Sequence, residues 1–468
     1  MRHWLVGLIV SLLGCAAQAQ NMGPSTRIHV TVEGHGQTTA TGVAQSNWIN
    51  AAPVQSRLIV GSDGQTYVGI WVDTPQAPAQ QAQRAPLDLA LVIDNSGSMS
   101  GDKIANARMA ASSLLETLTD GDIVSIYTFS NDVMEIAPPT VMNSQSRGAL
   151  IQRVNTIQPM GGTNMYDGLR VGEARLAEAP PTHPVRRLVV ISDGMANIGP
   201  SSAEELGNLA ANGTEAGAQV SAIGVGLEYD ERTLGALAMR SSGRMYHLEQ
   251  PEQMAAILRA ELQLLGQTVA TEAYIDVSPA PGVELLGVEA AVSQNQNGHI
   301  HIPLGSLYGG QHREMLVRVR VPTSGAGERP VGTAQLVFHE ANAARAPRTQ
   351  NVALNVAVTP DRAAASQSRD ARVNAMVVSY EAAQAQIRAS QQLSAGQNAQ
   401  AAATLAQADA ELQTVAASAP AAQRERIMRQ SANIRRGRAE ASAPAASRSA
   451  GRAGALRVNA DAFDAMGY

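Results

Sequence analysis

Apolar and polar positions change period along this chain, and the changes divide it into regions. Between residues 87 and 267 short, largely apolar strand-like runs alternate with longer stretches in which apolar residues recur with helical spacing. The runs at 87–93, 123–129, 185–191, 220–225 and 245–248 predict strands, with 133–136 as an antiparallel edge. Helices are predicted over 104–118, 146–157, 166–177, 203–211, 230–238 and 251–265. Strand patterns that alternate with helical ones imply a mostly parallel sheet covered on both faces, a doubly wound α/β unit.

On either side of that unit the pattern alternates. Residues 28–32, 56–60 and 66–72 read as strands, the last two forming a hairpin around Ser62-Asp63-Gly64. Beyond Gln267, strands at 268–277, 283–288, 299–303, 314–321, 333–338 and 351–358 are spaced by glycine, proline and polar turns and predict an antiparallel β-sandwich. An Ala-, Gln- and Arg-rich stretch then predicts two helices broken near Ser394-Ala395-Gly396. The expected organisation is a signal peptide over 1–19, an N-terminal β region over 20–74, a linker over 75–86 and the α/β domain over 87–267. A β-sandwich over 268–360, a helical hairpin over 361–430 and a disordered tail over 431–468 follow.

Composition narrows the function. With 44% hydrophobic residues but only 3% aromatic ones, the cores must be built from Val, Leu, Ile and Ala. A formal net charge of −5 argues against a nucleic-acid partner. Arg2, the apolar run 5–13 and the small-residue site Ala17-Gln18-Ala19 have the order of an export signal. The expected location is therefore periplasmic, at the cell surface or secreted. A second reading, in which Leu12-Leu13-Gly14-Cys15 is a lipobox and Cys15 carries a lipid anchor to the outer membrane, stays open; Leu13 departs from that pattern, which favours plain cleavage. With one cysteine no internal disulfide can form, and no later apolar run has the length of a transmembrane helix.

Candidate chemistry gathers in the α/β unit. Asp94-Asn95-Ser96-Gly97-Ser98 follows the first strand, Gly161-Gly162-Thr163-Asn164 precedes a helix, and Ser192-Asp193-Gly194 ends another strand. Asp94, Ser96, Ser98, Thr163 and Asp193 would supply two carboxylates and three hydroxyls to one hard cation, Mg²⁺ or alternatively Mn²⁺ or Ca²⁺. Ligands in open α/β sheets bind beyond the carboxyl ends of the strands, where Asp94 and Asp193 fall. Histidines offer no rival centre: His29 and His35 lack suitably spaced partners, His299 and His301 read as a solvated strand face, and Ala343 removes the zinc-protease pattern begun by His339-Glu340.

These three segments resemble the metal-ion-dependent adhesion site (MIDAS) of von Willebrand factor A (VWA) domains, whose Asp-x-Ser-x-Ser, Thr and Asp match Asp94, Ser96, Ser98, Thr163 and Asp193. The whole layout is similar to bacterial exported VWA proteins, related at domain level to inter-alpha-trypsin inhibitor heavy chains. The resemblance implies a Rossmann-like VWA fold and no enzyme activity. It implies an envelope adhesion or scaffold protein whose bound metal captures an Asp or Glu of a protein partner. The alternative is a structural module whose metal only stabilises the domain. A metal-dependent hydrolase stands further back, because no histidine or glutamate adjoins the five residues in sequence.

Overall fold

The computed structural model describes residues 47–77, 85–215, 217–226, 229–248, 260–261, 263–289, 291, 293–341, 345–442 and 448–466. The expected signal peptide, the strand at 28–32, the middle of the linker and most of the helix expected at 251–265 lie outside the described residues.

The strands are β1 (Ile49–Pro53), β2 (Arg57–Ile59), β3 (Gln65–Asp73), β4 (Leu87–Asp94), β5 (Ile123–Phe129), β6 (Val133–Val141), β7 (Val185–Ser192), β8 (Ala218–Val225) and β9 (Arg244–Leu248). They continue with β10 (Thr268–Pro279), β11 (Glu284–Glu289), β12 (Gln294–Gln296), β13 (His299–Tyr308), β14 (His312–Arg320), β15 (Gly327–Glu340) and β16 (Pro347–Thr359). The helices are α1 (Asp102–Thr117), α2 (Ser144–Asn155), α3 (Met165–Ala177), α4 (Ala203–Glu215) and α5 (Glu231–Arg240). After the strands come α6 (Arg362–Gln367), α7 (Ala371–Ser394), α8 (Asn398–Ala416), α9 (Ala421–Ser442) and α10 (Arg448–Met466).

The central sheet runs β6-β5-β4-β7-β8-β9, parallel except for β6. Every residue of β4 is buried. Because side chains alternate along a strand, Leu87, Leu89, Leu91 and Ile93 pack with α1 and α2, while Ala90 and Val92 pack with α3, α4 and α5. Polar residues set the helix starts: Asn143 accepts from the backbone of Ser146, whose hydroxyl accepts from Asn143 in return, and Asp230 caps α5.

The flanking β-structure differs from the expected division. β1 and β3 join β14 and β11 in one sheet, and β2 lies at the edge of the other, β12-β13-β10-β15-β16-β2. The described part of 20–74 and residues 268–360 therefore build a single sandwich, into which the α/β unit is inserted. Nor do β2 and β3 form the expected hairpin: β2 runs parallel to β16, and β3 pairs with β14 from Gln65↔Arg320 to Asp73↔His312. Alternation at Thr66, Val68, Ile70 and Val72 says that β3 has a buried face, but it does not say which distant strand completes the sheet. At Gly64, φ is +69° and an added Cβ would fall 2.0 Å from the Val321 carbonyl, so only glycine lets the chain cross there.

The C-terminal region is also corrected. The break near 394–396 stands, with Gly396 at φ +74°, but helix α9 runs past 430 to Ser442 and α10 is a helix where a disordered tail is expected. Low-complexity composition hid the few anchors that order it: Leu456 reaches the core beside β4, Phe463 covers Gly235 of α5, and Arg452 pairs with Glu231 at 2.5 Å. Small residues elsewhere let the helices approach closely.

Sandwich and α/β unit meet near the N-terminal ends of β7 and β8, at a fully buried guanidinium. Arg187 donates to the Tyr308 hydroxyl of the sandwich, and its Nε faces Glu261 Oε1 at 3.5 Å. Burial alone would push the Glu261 carboxyl up, but Arg187 and the hydroxyls of Ser221, at 2.5 Å, and Tyr246 hold it below its usual range. Gln219 adds bonds to Leu304 and Ser306 across the same seam. Removing one member of a buried pair strands the other, so Arg187→Met is expected to cost about 3–5 kcal/mol in denaturant unfolding. Arg187→Met combined with Glu261→Gln should recover much of that loss; no recovery would show that the charge pair is not the source.

A second buried carboxyl is unpaired by any cation. Glu173 of α3 lies against Gly213 of α4, its Oε1 has no hydrogen-bond partner, and burial pushes its pKa up to about 8. A raised acid pKa means that stability is full at low pH and is lost as pH climbs from the unfolded value of 4.5 through about 8. Glu173→Gln should flatten the melting profile between these limits and raise stability by about 2–5 kcal/mol at pH 9, read by thermal unfolding.

Candidate metal centre

The end of β4 delivers Asp94 into the crevice beyond the carboxyl edge of the sheet, on the edge away from the sandwich seam. The chain turns there in a short 3₁₀ segment, Gly97–Met99, with Met99 buried beneath it. Asp94 accepts from the Ser96 amide at 2.8 Å through one oxygen and from the Ser192 hydroxyl at 2.5 Å through the other. Ser96 and Ser98 hold their hydroxyl oxygens 2.9 Å apart. Asp94, Ser96, Thr163 and Asp193 are buried, and Ser98 is exposed, so the group opens to solvent on one side.

Backbone bonds lock the loops together. The Gly97 amide donates to the Gly161 carbonyl at 3.0 Å, and the Met160 amide donates to the Asn95 carbonyl at 2.6 Å. Thr163 receives support from the third loop: its amide donates to Asn197 Oδ1 at 2.8 Å, and its carbonyl accepts from the Asn197 amide at 3.0 Å. Asp193 is held through its carbonyl, which accepts from the Asp230 amide at 2.8 Å. Asn164 and Asp167 are reciprocally bonded at the start of α3, which gives Asp167 a bracing role rather than a place in the ligand set.

The electrostatics are those of a site short of positive charge. Burial, with a smaller push from the nearby Asp193, raises the Asp94 carboxyl to about 6 against the lowering effect of Ser192 and Ser96. Two acids and three hydroxyls suit a hard cation. No group of three or more His, Cys, Asp or Glu side chains able to hold a metal gathers among the described residues, at this site included, so hydroxyl oxygens would provide most of any coordination here.

All five residues singled out in the sequence lie on these three linked loops. Two partners went unnoticed. Ser192 braces Asp94, and its place directly before Asp193 was the available signal. Lys103, the single lysine of the chain, reaches Asp193 Oδ2 at 2.8 Å. Its position in the first turn of α1, where the helix dipole disfavours a cation, was a clue that an anion must face it.

Residues 88–260 match the family model of the von Willebrand factor type A domain. Uncharacterized protein sll0103 of Synechocystis is 26% identical over 271 residues, 55% of this chain and 63% of that protein. Inter-alpha-trypsin inhibitor heavy chain H3 of Rattus norvegicus is 30% identical over 167 residues, 34% of this chain and 18% of that protein. The chain thus spans less than two thirds of either relative's length. The solved structure of von Willebrand factor type A from Catenulispora acidiphila shares the fold at TM-score 0.64, covering 84% of this chain and 91% of that one at 17% identity. The chain contains a VWA domain, a Rossmann-like α/β unit accompanied by β-sheets and C-terminal helices.

Gly161 is the hinge of the second loop. Its φ is +64°, and an added Cβ would sit 2.8 Å from Asn131 Oδ1, which accepts from the neighbouring Gly162 amide. Gly161→Ala is expected to lower stability by about 1–3 kcal/mol and to loosen the Gly97 contact, seen as faster amide exchange at Gly97. Unchanged exchange there would mean that the two loops hold together without this turn.

Proposed function

We propose that this protein is an exported cell-envelope binding or adhesion protein that captures an acidic side chain of a partner protein through a divalent cation. Asp94, Ser96, Ser98, Thr163 and Asp193 would hold the cation, Mg²⁺ or in its place Mn²⁺ or Ca²⁺. The observation that carries the reading is the burial of two neighbouring carboxylates among hydroxyls at the carboxyl edge of the sheet, an arrangement that burial and like charge destabilise and a cation relieves. Neutral hydroxyls leave such an ion electrophilic, and in bound form it supplies a Lewis-acid position for a partner's Asp or Glu.

The surroundings favour a protein partner. Exposed Met160 and Met195 flank the ligand loops, giving the rim adaptable apolar contacts around a charged centre. Arg2, the apolar run 5–13 and Ala17-Gln18-Ala19 support export. Among the described residues no helix is long and apolar enough to cross a membrane. The reading assigns no catalytic residue.

Mg²⁺ titrated calorimetrically into the metal-free protein tests the first step. Asp94→Ala and Thr163→Ala should each weaken binding at least about tenfold. Envelope extract passed over the immobilised protein tests the second: a partner should be retained by wild type with Mg²⁺ and lost with EDTA or with Asp94→Ala. Metal binding that survives in wild type while retention is the same in every lane would make the metal a purely structural part of the domain.

A further inference from the structure

Among the described residues Lys103 is the cation built into the candidate metal centre. Its ammonium lies 2.8 Å from Asp193 Oδ2, with Asp193 wholly buried and the lysine side chain 23% exposed. The contact is not an accident of a long surface side chain. The stem runs over Gly226, at the end of β8, where an added Cβ would stand 3.3 Å from Lys103 Cε; glycine leaves the stem its channel. The position is costly in another respect, because a cation in the first turn of α1 faces the positive end of the helix dipole. In a chain whose 35 basic residues include no other lysine, Lys103 is the basic side chain that pairs with these acids among the described residues.

The consequence follows from counting charge. Asp94 and Asp193 together bring two negative charges to the loops, and Lys103 cancels one of them. A divalent ion bound there would retain a net positive charge, which a partner's carboxylate neutralises. Without Lys103 the two acids would already balance the ion, giving tighter metal binding and less drive toward an added carboxylate.

We propose that Lys103 is a positioning residue that withholds Asp193 from full charge compensation of the metal, so that cation binding and carboxylate capture reinforce one another. This rests on the reading of the five residues as a metal centre. Lys103 takes no part in coordination; it acts through Asp193. By linkage, a carboxylate that tightens Mg²⁺ binding is itself bound more tightly when Mg²⁺ is present, and the strength of that coupling is what Lys103 sets.

The test titrates Mg²⁺ into the metal-free full chain by calorimetry, with and without acetate as the carboxylate probe. Wild type, Lys103→Met, Lys103→Gln, Lys103→Arg and Asp94→Ala are compared. Both neutral variants are expected to bind Mg²⁺ about tenfold more tightly than wild type and to lose most of the tightening that acetate gives, while Lys103→Arg keeps wild-type behaviour. In the metal-free state both neutral variants should melt below wild type, because Asp193 loses its countercharge, and Mg²⁺ should restore them. Mg²⁺ affinity unchanged or weakened in Lys103→Met and Lys103→Gln, with wild type still binding better than Asp94→Ala, would overturn the role of Lys103 and leave the metal centre intact. Wild type binding Mg²⁺ no better than Asp94→Ala would overturn both.

Discussion

The complete burial of β4 between β5 and β7 is the constraint on which the rest of the molecule depends. A strand covered on both faces cannot tolerate a charge along its length without a partner, and Asp88 meets that requirement with Arg175 at 3.0 Å. At its last residue the strand leaves the apolar layers and presents Asp94 to the crevice. The carboxylate is consequently fixed by the packing of the central sheet rather than by the flexibility of a loop. Its two oxygens are claimed by Ser96 and Ser192, one from each neighbouring loop. A rigid first ligand is what allows loops rich in glycine to be assembled around it with little further ordering cost.

The sandwich and the terminal helices act on the other parts of that sheet. The Arg187 cluster ties the N-terminal ends of β7 and β8 to β13, and α10 places Leu456 and Phe463 against the layer of α5. The Arg187 cluster lies at the opposite end of the sheet from Asp94, Thr163 and Asp193, whereas Arg452 of α10 reaches the Tyr229 carbonyl and Glu231, beside the Asp230 amide that holds the Asp193 carbonyl, so the terminal helix buttresses the third loop.

Within the centre, stability and function pull in opposite directions. Two acids brought together in a buried crevice repel one another, and the fold offsets part of this with hydroxyl and amide donors on Asp94 and with the ammonium of Lys103 on Asp193. Residual imbalance of that kind is common where a charged ligand is meant to complete a site. Under the proposed function a cation and an incoming carboxylate would be the remaining members of a single charge cluster.

The doubly wound unit was legible in the sequence because its signals are local. Largely apolar runs marked β4, β5, β7 and β8, helical spacing marked the covering helices, and short polar segments between the elements exposed Asp94, Ser96, Ser98, Thr163 and Asp193 as candidate ligands. Other features depended on pairings between residues far apart. Alternation along β3 announced a buried face, yet β14 as its neighbour follows only from the closing of a sandwich across more than 200 intervening positions. The tail from 431 onward lacks the apolar density of an ordinary helix, and α10 is ordered by the surfaces that α7, α9 and α5 bring together around it. Lys103 and Ser192 carry only faint local signals, a cation in the first turn of α1 and a hydroxyl directly before Asp193; their meaning comes from the anion each meets in space. Periodicity determined which faces are buried and where the loops fall, while tertiary structure decided which surfaces and charges meet, because burial is a property of one segment and a contact is a property of two.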